Sequence, residues 1–119
     1  MNELPITFIL MPVAAGLGTL FVLISVPLLY NTIGPNWAYG FRTRKTLSNP
    51  EIWYKANNYM TKELIAAGIA IVLLSIIMMA VHIKITMFTP EQAVGLFLMV
   101  LGVPLAIAIV RSTWYLKRL

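Results

Sequence analysis

Three long apolar runs, separated by one long and one short polar stretch, set the pattern of this chain. They extend over about 6–30, 64–83 and 91–111, each close to the roughly 20 residues a helix needs to cross a hydrocarbon core about 30 Å thick. The first holds no charged side chain, and Pro5 stands in the first turn of the helix it predicts, where a missing N–H costs nothing. Pro12 and Pro27 fall inside or near the ends of the first run and predict kinks whose freed carbonyls find other partners, and the third run contains Pro104.

Between the first two runs, from 31 to 49, periodicity gives way to a polar segment with a turn signal at Gly34-Pro35-Asn36. Asn49-Pro50-Glu51 then predicts a helix start, with Asn as N-cap, Pro at the first helical position and an acid where the helix dipole favours it. Ile52, Trp53, Ala56, Met60 and Leu64 make an apolar stripe at helical spacing, with Glu51, Lys55, Asn58 and Lys62 largely opposite. No break separates that stripe from the second run, so one helix from Pro50 to about Lys84 is expected. Thr89-Pro90-Glu91 repeats the start signal before the third run. The pattern predicts an all-α membrane protein of three transmembrane helices. A basic loop and an amphipathic helical extension occupy about 31–63 ahead of the second span, within a single domain over 1–119.

Composition supports lipid as the solvent: 119 residues, 60% hydrophobic and 11% charged, leave too little polar surface to coat a water-soluble globule. Mean hydropathy is +0.85. The net charge of +5 reads as anchorage beside apolar spans rather than nucleic-acid binding, which is not expected. No Lys or Arg precedes the first run, so a cleaved leader is not expected, although Ala14-Ala15-Gly16 imitates a cleavage site. Every basic side chain except Lys84 lies in the loop and its helical extension or at the C-terminal end, and all the Trp and Tyr gather there too. The positive-inside rule then puts the N-terminus outside and the loop and C-terminus in the cytoplasm.

Helices this apolar associate in lipid through small residues, and Ala14 with Gly18, Ala66 with Ala70, and Gly102 with Ala106 suggest a compact bundle, a dimer, or both, with contacts within the chain favoured for each pair. The chemistry available is sparse. Glu3, Glu51, Glu63 and Glu91 stand at predicted helix ends or outside the spans, leaving no carboxylate at membrane depth for a proton relay. His82 is expected to snorkel to the interface beside Lys84, and one His without Cys or clustered acids gives no metal site. Ser25, Ser75 and Thr19 are expected to bond their own helix backbones. No enzyme, cofactor or metal is expected.

The loop is more informative. Gly40 allows a turn or a close approach, Arg42 offers a planar five-donor fork suited to phosphate or carbonyls, and Thr43 and Thr46 add hydroxyls. Trp53 and Asn57 share a helix face, so the loop can fold back onto Asn57 beneath Trp53. Tyr39, Gly40, Arg42, Thr43, Thr46, Trp53 and Asn57 are therefore the candidate binding residues, for an anionic lipid head group or the carbonyls at the inner end of a span.

Pro35-Asn36, Tyr39-Gly40-Phe41-Arg42-Thr43, Thr46-Leu47, Trp53 and Asn57 resemble the SdpI family of bacterial membrane proteins over about Pro35 to Asn57. Many members have Pro after the Arg-Thr pair, where this chain has Arg44. The resemblance implies a multi-pass protein of the bacterial inner membrane. It also implies immunity against a secreted peptide toxin, or signal relay to a cytoplasmic regulator. The namesake is larger, and this chain resembles the three-span module alone. Other readings are an accessory subunit of a larger membrane complex and, disfavoured by the lack of intramembrane charge, a small homo-oligomeric transporter.

Overall fold

A computed structural model describes residues 4–119. Four helices follow in order: α1 (Thr7–Leu29), α2 (Arg44–Ser48), α3 (Pro50–Lys84) and α4 (Pro90–Lys117). Among the described residues there is no strand, and α1, α3 and α4 are each long and apolar enough to cross a membrane. They pack as an antiparallel up-down-up bundle with α3 central, against α1 above all and then α4. The whole is a rod of 59 × 23 × 20 Å. At one end lie the C-terminus of α1, the loop, α2, the start of α3 and the end of α4; this is the loop end below.

The helix starts follow local chemistry. Asn49 Oδ1 accepts from the Glu51 N–H at 2.8 Å with Pro50 at the first position, and Thr89 and Gln92 form a reciprocal capping box ahead of α4. At 35 residues, roughly 52 Å, α3 exceeds a hydrocarbon core by more than about 15 Å, so its first turns stand clear of the apolar layer. On that extension Trp53 is buried while Lys55 and Lys62 are exposed, as the stripe predicts. The last helix, α4, runs on to Lys117, past the apolar run, because Ser112 and Leu116 keep an inward face that still packs.

The core is thin. Ala14, Ile71 and Val100 form its centre, flanked by Phe21, Leu74, Met78, Phe97, Leu101 and Leu105, while residues such as Leu23, Ile76 and Ile109 face outward where lipid takes the place of water. The α1–α3 crossing is the closest approach in the bundle. A methyl group on Gly68 would lie 2.6 Å from the Gly18 carbonyl oxygen, and one on Gly18 would lie 2.7 Å from that of Gly68. Ala14 and Gly18 are thus a contact pair, as expected. Ala66 and Ala70 are not, nor are Gly102 and Ala106: Ala66, Gly102 and Ala106 are exposed, and nothing lies within 4 Å of a methyl placed on Gly102. The reason is rotation. With Gly68 turned onto α1, residues two positions away point elsewhere at about 100° per residue.

Thr19, Ser25 and Ser75 donate to the carbonyls four residues back, at 2.9, 2.6 and 2.6 Å. His82 departs from expectation. Instead of snorkelling it is 4% exposed, Nδ1 accepts from the Phe88 N–H at 3.1 Å, and its ring meets Phe8 and Phe88 at centroid distances of 5.3 and 5.5 Å. The short α3–α4 connection needs an acceptor inside the bundle for its returning backbone, and the imidazole supplies it. His82→Phe keeps a ring and loses the acceptor. It is expected to lower the free energy of unfolding by about 1 kcal/mol, read from a thermal melt in detergent; a melt identical to the parent's would refute this role.

Candidate functional site

At the loop end the chain leaves α1 through Asn31, in left-handed backbone at φ 56, a conformation that Asn tolerates. The Asn31 side-chain oxygen accepts from Asn58 Nδ2 on α3 at 2.7 Å, and Thr32 Oγ1 donates to the Pro27 carbonyl at 2.6 Å, covering one of the orphan carbonyls of the helix end. Two residues further on, Trp53 Nε1 donates to the Ile33 carbonyl at 2.9 Å. Trp53 is fully buried, so its indole ties the first loop turn to α3 from within.

Asn36 organises the next turn. Its Oδ1 accepts from the N–H groups of Ala38 and Tyr39, at 2.9 and 2.6 Å, and its Nδ2 donates to the carbonyls of Gly34 and Tyr39, at 2.9 and 2.8 Å. That fixes the backbone of Tyr39. The Asn36 carbonyl then accepts from Arg42 Nε at 2.7 Å, while the rest of the Arg42 side chain is exposed. Arg42 does reach a backbone carbonyl, but one within the loop rather than at the end of a span. The Gly34-Pro35-Asn36 turn signal could have directed attention to Asn36, since Asn in such turns bonds its own backbone.

Gly40 lies between, at φ +119, and a methyl group there would meet Asn57 Oδ1 at 2.8 Å and Trp53 Cη2 at 2.9 Å. Both the dihedral and the space demand glycine. The close approach lets Asn57 clasp the loop: its Oδ1 accepts from the Phe41 N–H at 2.7 Å, and its Nδ2 donates to the Trp53 carbonyl at 3.0 Å and, more weakly, to that of Phe41 at 3.4 Å. Asn57 is 1% exposed, so this amide substitutes for water along a loop that would otherwise bury unpaired groups.

Thr43 and Thr46 are committed to each other. Thr43 Oγ1 accepts from the Thr46 N–H at 3.1 Å and Thr46 Oγ1 from the Thr43 N–H at 2.7 Å, a capping box that starts the short helix α2. The residue following the Arg-Thr pair, Arg44, is the first of α2. This helix was not foreseen: five residues carry too little periodicity to reveal one.

All seven candidate residues thus lie in one stretch of loop and the α3 face beneath it. Trp53, Asn57 and Gly40 hold the loop down, Thr43 and Thr46 turn it into α2, and Arg42 is pinned through Nε with its end outward. Arg44, two residues on at the start of α2, is exposed as well. At the start of α3 the Lys55 ammonium, one turn on from Glu51 and 2.8 Å from it, holds that carboxyl below the usual carboxylate range. Among the described residues no group of three His, Cys, Asp or Glu side chains gathers as a metal site would require. Sequence reasoning also missed an ion pair between spans, Arg111 Nε to Glu63 Oε1 at 2.8 Å, and the stacking of Tyr59 on Tyr115 at 4.2 Å and 5°.

A family model described as the SdpI/YfhL protein family matches residues 32–113, which takes in the loop from Thr32 onward, α2, α3 and most of α4. The chain belongs to the SdpI/YfhL family. Membership and the three apolar helices make this a multi-pass membrane protein of that type. No curated protein and no solved structure matches the chain.

Proposed function

We propose that this SdpI/YfhL-family chain is a non-enzymatic immunity or signal-relay protein of the bacterial inner membrane: the bundle senses or blocks a membrane-active peptide, and the loop end presents its state to a cytoplasmic regulator. The observation that carries the reading is the ordered loop. A segment serving only as a topology signal needs positive charge, whereas this one is fastened by Trp53, Asn57 and Gly40 so that Arg42 is held at a fixed place with its end exposed. Family membership supports the type of protein, and the immunity and relay roles follow from the resemblance.

Two experiments bear on it. The reading requires the loop end in the cytoplasm, so alkaline phosphatase fused after Leu119 is expected to be inactive and a cytoplasmic reporter at the same place active; the reverse pattern overturns the orientation. Arg42→Lys keeps the charge and loses the planar fork. In a strain protected from a peptide toxin by the parent protein, it is expected to abolish protection at unchanged protein level. Full protection by the variant would reduce the loop to an anchor, and co-purification of a stoichiometric membrane partner would favour an accessory subunit.

A further inference from the structure

The pocket behind the Glu63–Arg111 pair has no part in the loop. Tyr59, Arg111, Trp114, Tyr115 and Arg118 enclose about 310 Å³ between α3 and the end of α4, at the level of the exposed aromatic residues. On the other side of the pair an apolar groove of about 320 Å³ continues along the same two helices, past Ala66, Ala70, Val103 and Ile107, and Glu63 itself lines its upper end. The positions form one stripe on each helix: Tyr59, Glu63, Ala66 and Ala70 on α3, and Val103, Ile107, Arg111, Trp114 and Arg118 on α4, at steps of three and four. Pocket and groove thus follow one another along the same α3–α4 crevice, with Arg111 lining the first and its partner Glu63 the second.

Its charge is confined to one end. Glu63 takes Nε of Arg111, which itself lines the pocket, and Arg118, lining the same pocket, adds a second cation that makes no ion pair among the described residues. The stacked Tyr59 and Tyr115 rings and exposed Trp114 make amphipathic walls suited to the head-group level. Below, alanines floor the groove where larger residues would fill it. From Arg111 to Val103 it runs about 12 Å at 1.5 Å per residue, close to the roughly 15 Å of one leaflet's hydrocarbon. A cationic, donor-rich head and an apolar channel of one leaflet's depth match an anionic phospholipid.

We propose that this crevice binds one anionic phospholipid, its phosphate held by Arg111 and Arg118 beside Tyr59 and one acyl chain lying in the groove over Ala66 and Ala70. The assignment gives Ala66 and Ala70 a purpose that helix packing does not, and it is independent of which face of the membrane the loop end occupies. The test equilibrates the purified full chain in mild detergent with equal amounts of dioleoyl phosphatidylglycerol and dioleoyl phosphatidylcholine and counts retained lipid by native mass spectrometry. One phosphatidylglycerol per chain is expected, preferred by about tenfold or more. Arg118→Gln, at an exposed helix end where folding is not at stake, is expected to erase most of that preference. Ala70→Leu, which fills the groove and leaves the cations in place, is expected to lower retention of the same lipid by about tenfold, with circular dichroism confirming an intact helical fold. Excess inorganic phosphate is expected to leave the bound lipid in place. Equal retention of the two lipids, parental binding by Arg118→Gln or by a folded Ala70→Leu, or displacement by inorganic phosphate would each overturn the proposal, the last by showing an anion site without a lipid.

Discussion

Gly68→Val is expected to unfold or splay the bundle, with a loss of about 3 kcal/mol or more in detergent unfolding, and Gly68→Ala to lose about 1–3 kcal/mol. The cause is backbone meeting backbone. Even a single methyl on Gly68 would stand 2.6 Å from the Gly18 carbonyl oxygen and 2.7 Å from Val22 Cγ2, and a main-chain carbonyl cannot rotate away as a side chain can. The helices must separate, and in lipid their separation forfeits the close van der Waals contact that drives association where the hydrophobic effect does not. Gly16, Gly95 and Gly102 supply the control, since nothing lies within 4 Å of a methyl at any of them. Their Ala variants are expected to be neutral or up to about 1 kcal/mol more stable, because alanine has the higher helix propensity. A titration with a denaturing detergent, followed by circular dichroism, compares the four under one condition. If Gly68→Ala unfolds together with Gly102→Ala, the α1–α3 crossing is not the contact that holds the bundle.

That contrast marks where sequence reading stops. The spans, the Asn49 and Thr89 caps and the long α3 were legible because each is written in consecutive residues: apolar length, a capping side chain, a proline at the first position. Which glycine meets which is a matter of register between helices far apart in sequence, and Ala14-xxx-Gly18, Ala66-xxx-Ala70 and Gly102-xxx-Ala106 look alike until rotation selects the first. The Glu63–Arg111 pair, 48 residues apart, and the capture of the Phe88 N–H by His82 were hidden for the same reason. At the candidate site the foldback of the loop onto Asn57 could be foreseen from helical spacing, since Trp53 and Asn57 are four apart. The Gly34-Pro35-Asn36 turn pointed to Asn36 bonding its own backbone, but the bond from Arg42 to its carbonyl and the mutual capping of Thr43 and Thr46 depended on a backbone path that spacing does not give.

Asn57→Ala is expected to release the loop without unfolding the spans. The substitution removes the acceptor of the Phe41 N–H and the donor to the Trp53 carbonyl in a residue only 1% exposed, so at least one buried backbone group loses its partner, at about 1–3 kcal/mol. Loop closure is local, and its loss appears in the population of the open form rather than in the melting of α1, α3 and α4. Trypsin reads that population, because Arg42, Arg44 and Lys45 all lie in the released segment and cleavage follows the open fraction when closing is fast. About 2 kcal/mol corresponds to cleavage about thirtyfold faster. Gly40→Ala is expected to act in the same direction by a different route, its methyl colliding with Asn57 Oδ1 and Trp53 while φ +119 strains the backbone. Arg42→Lys separates fastening from presentation. It loses one exposed bond to the Asn36 carbonyl, worth about 0.5–1.5 kcal/mol, and is expected to change cleavage at Arg44 and Lys45 by no more than about tenfold. Cleavage of Asn57→Ala at the parental rate, or a drop in its detergent unfolding midpoint as large as that of Gly68→Val, would show that Asn57 does not work as the clasp of an independently opening loop.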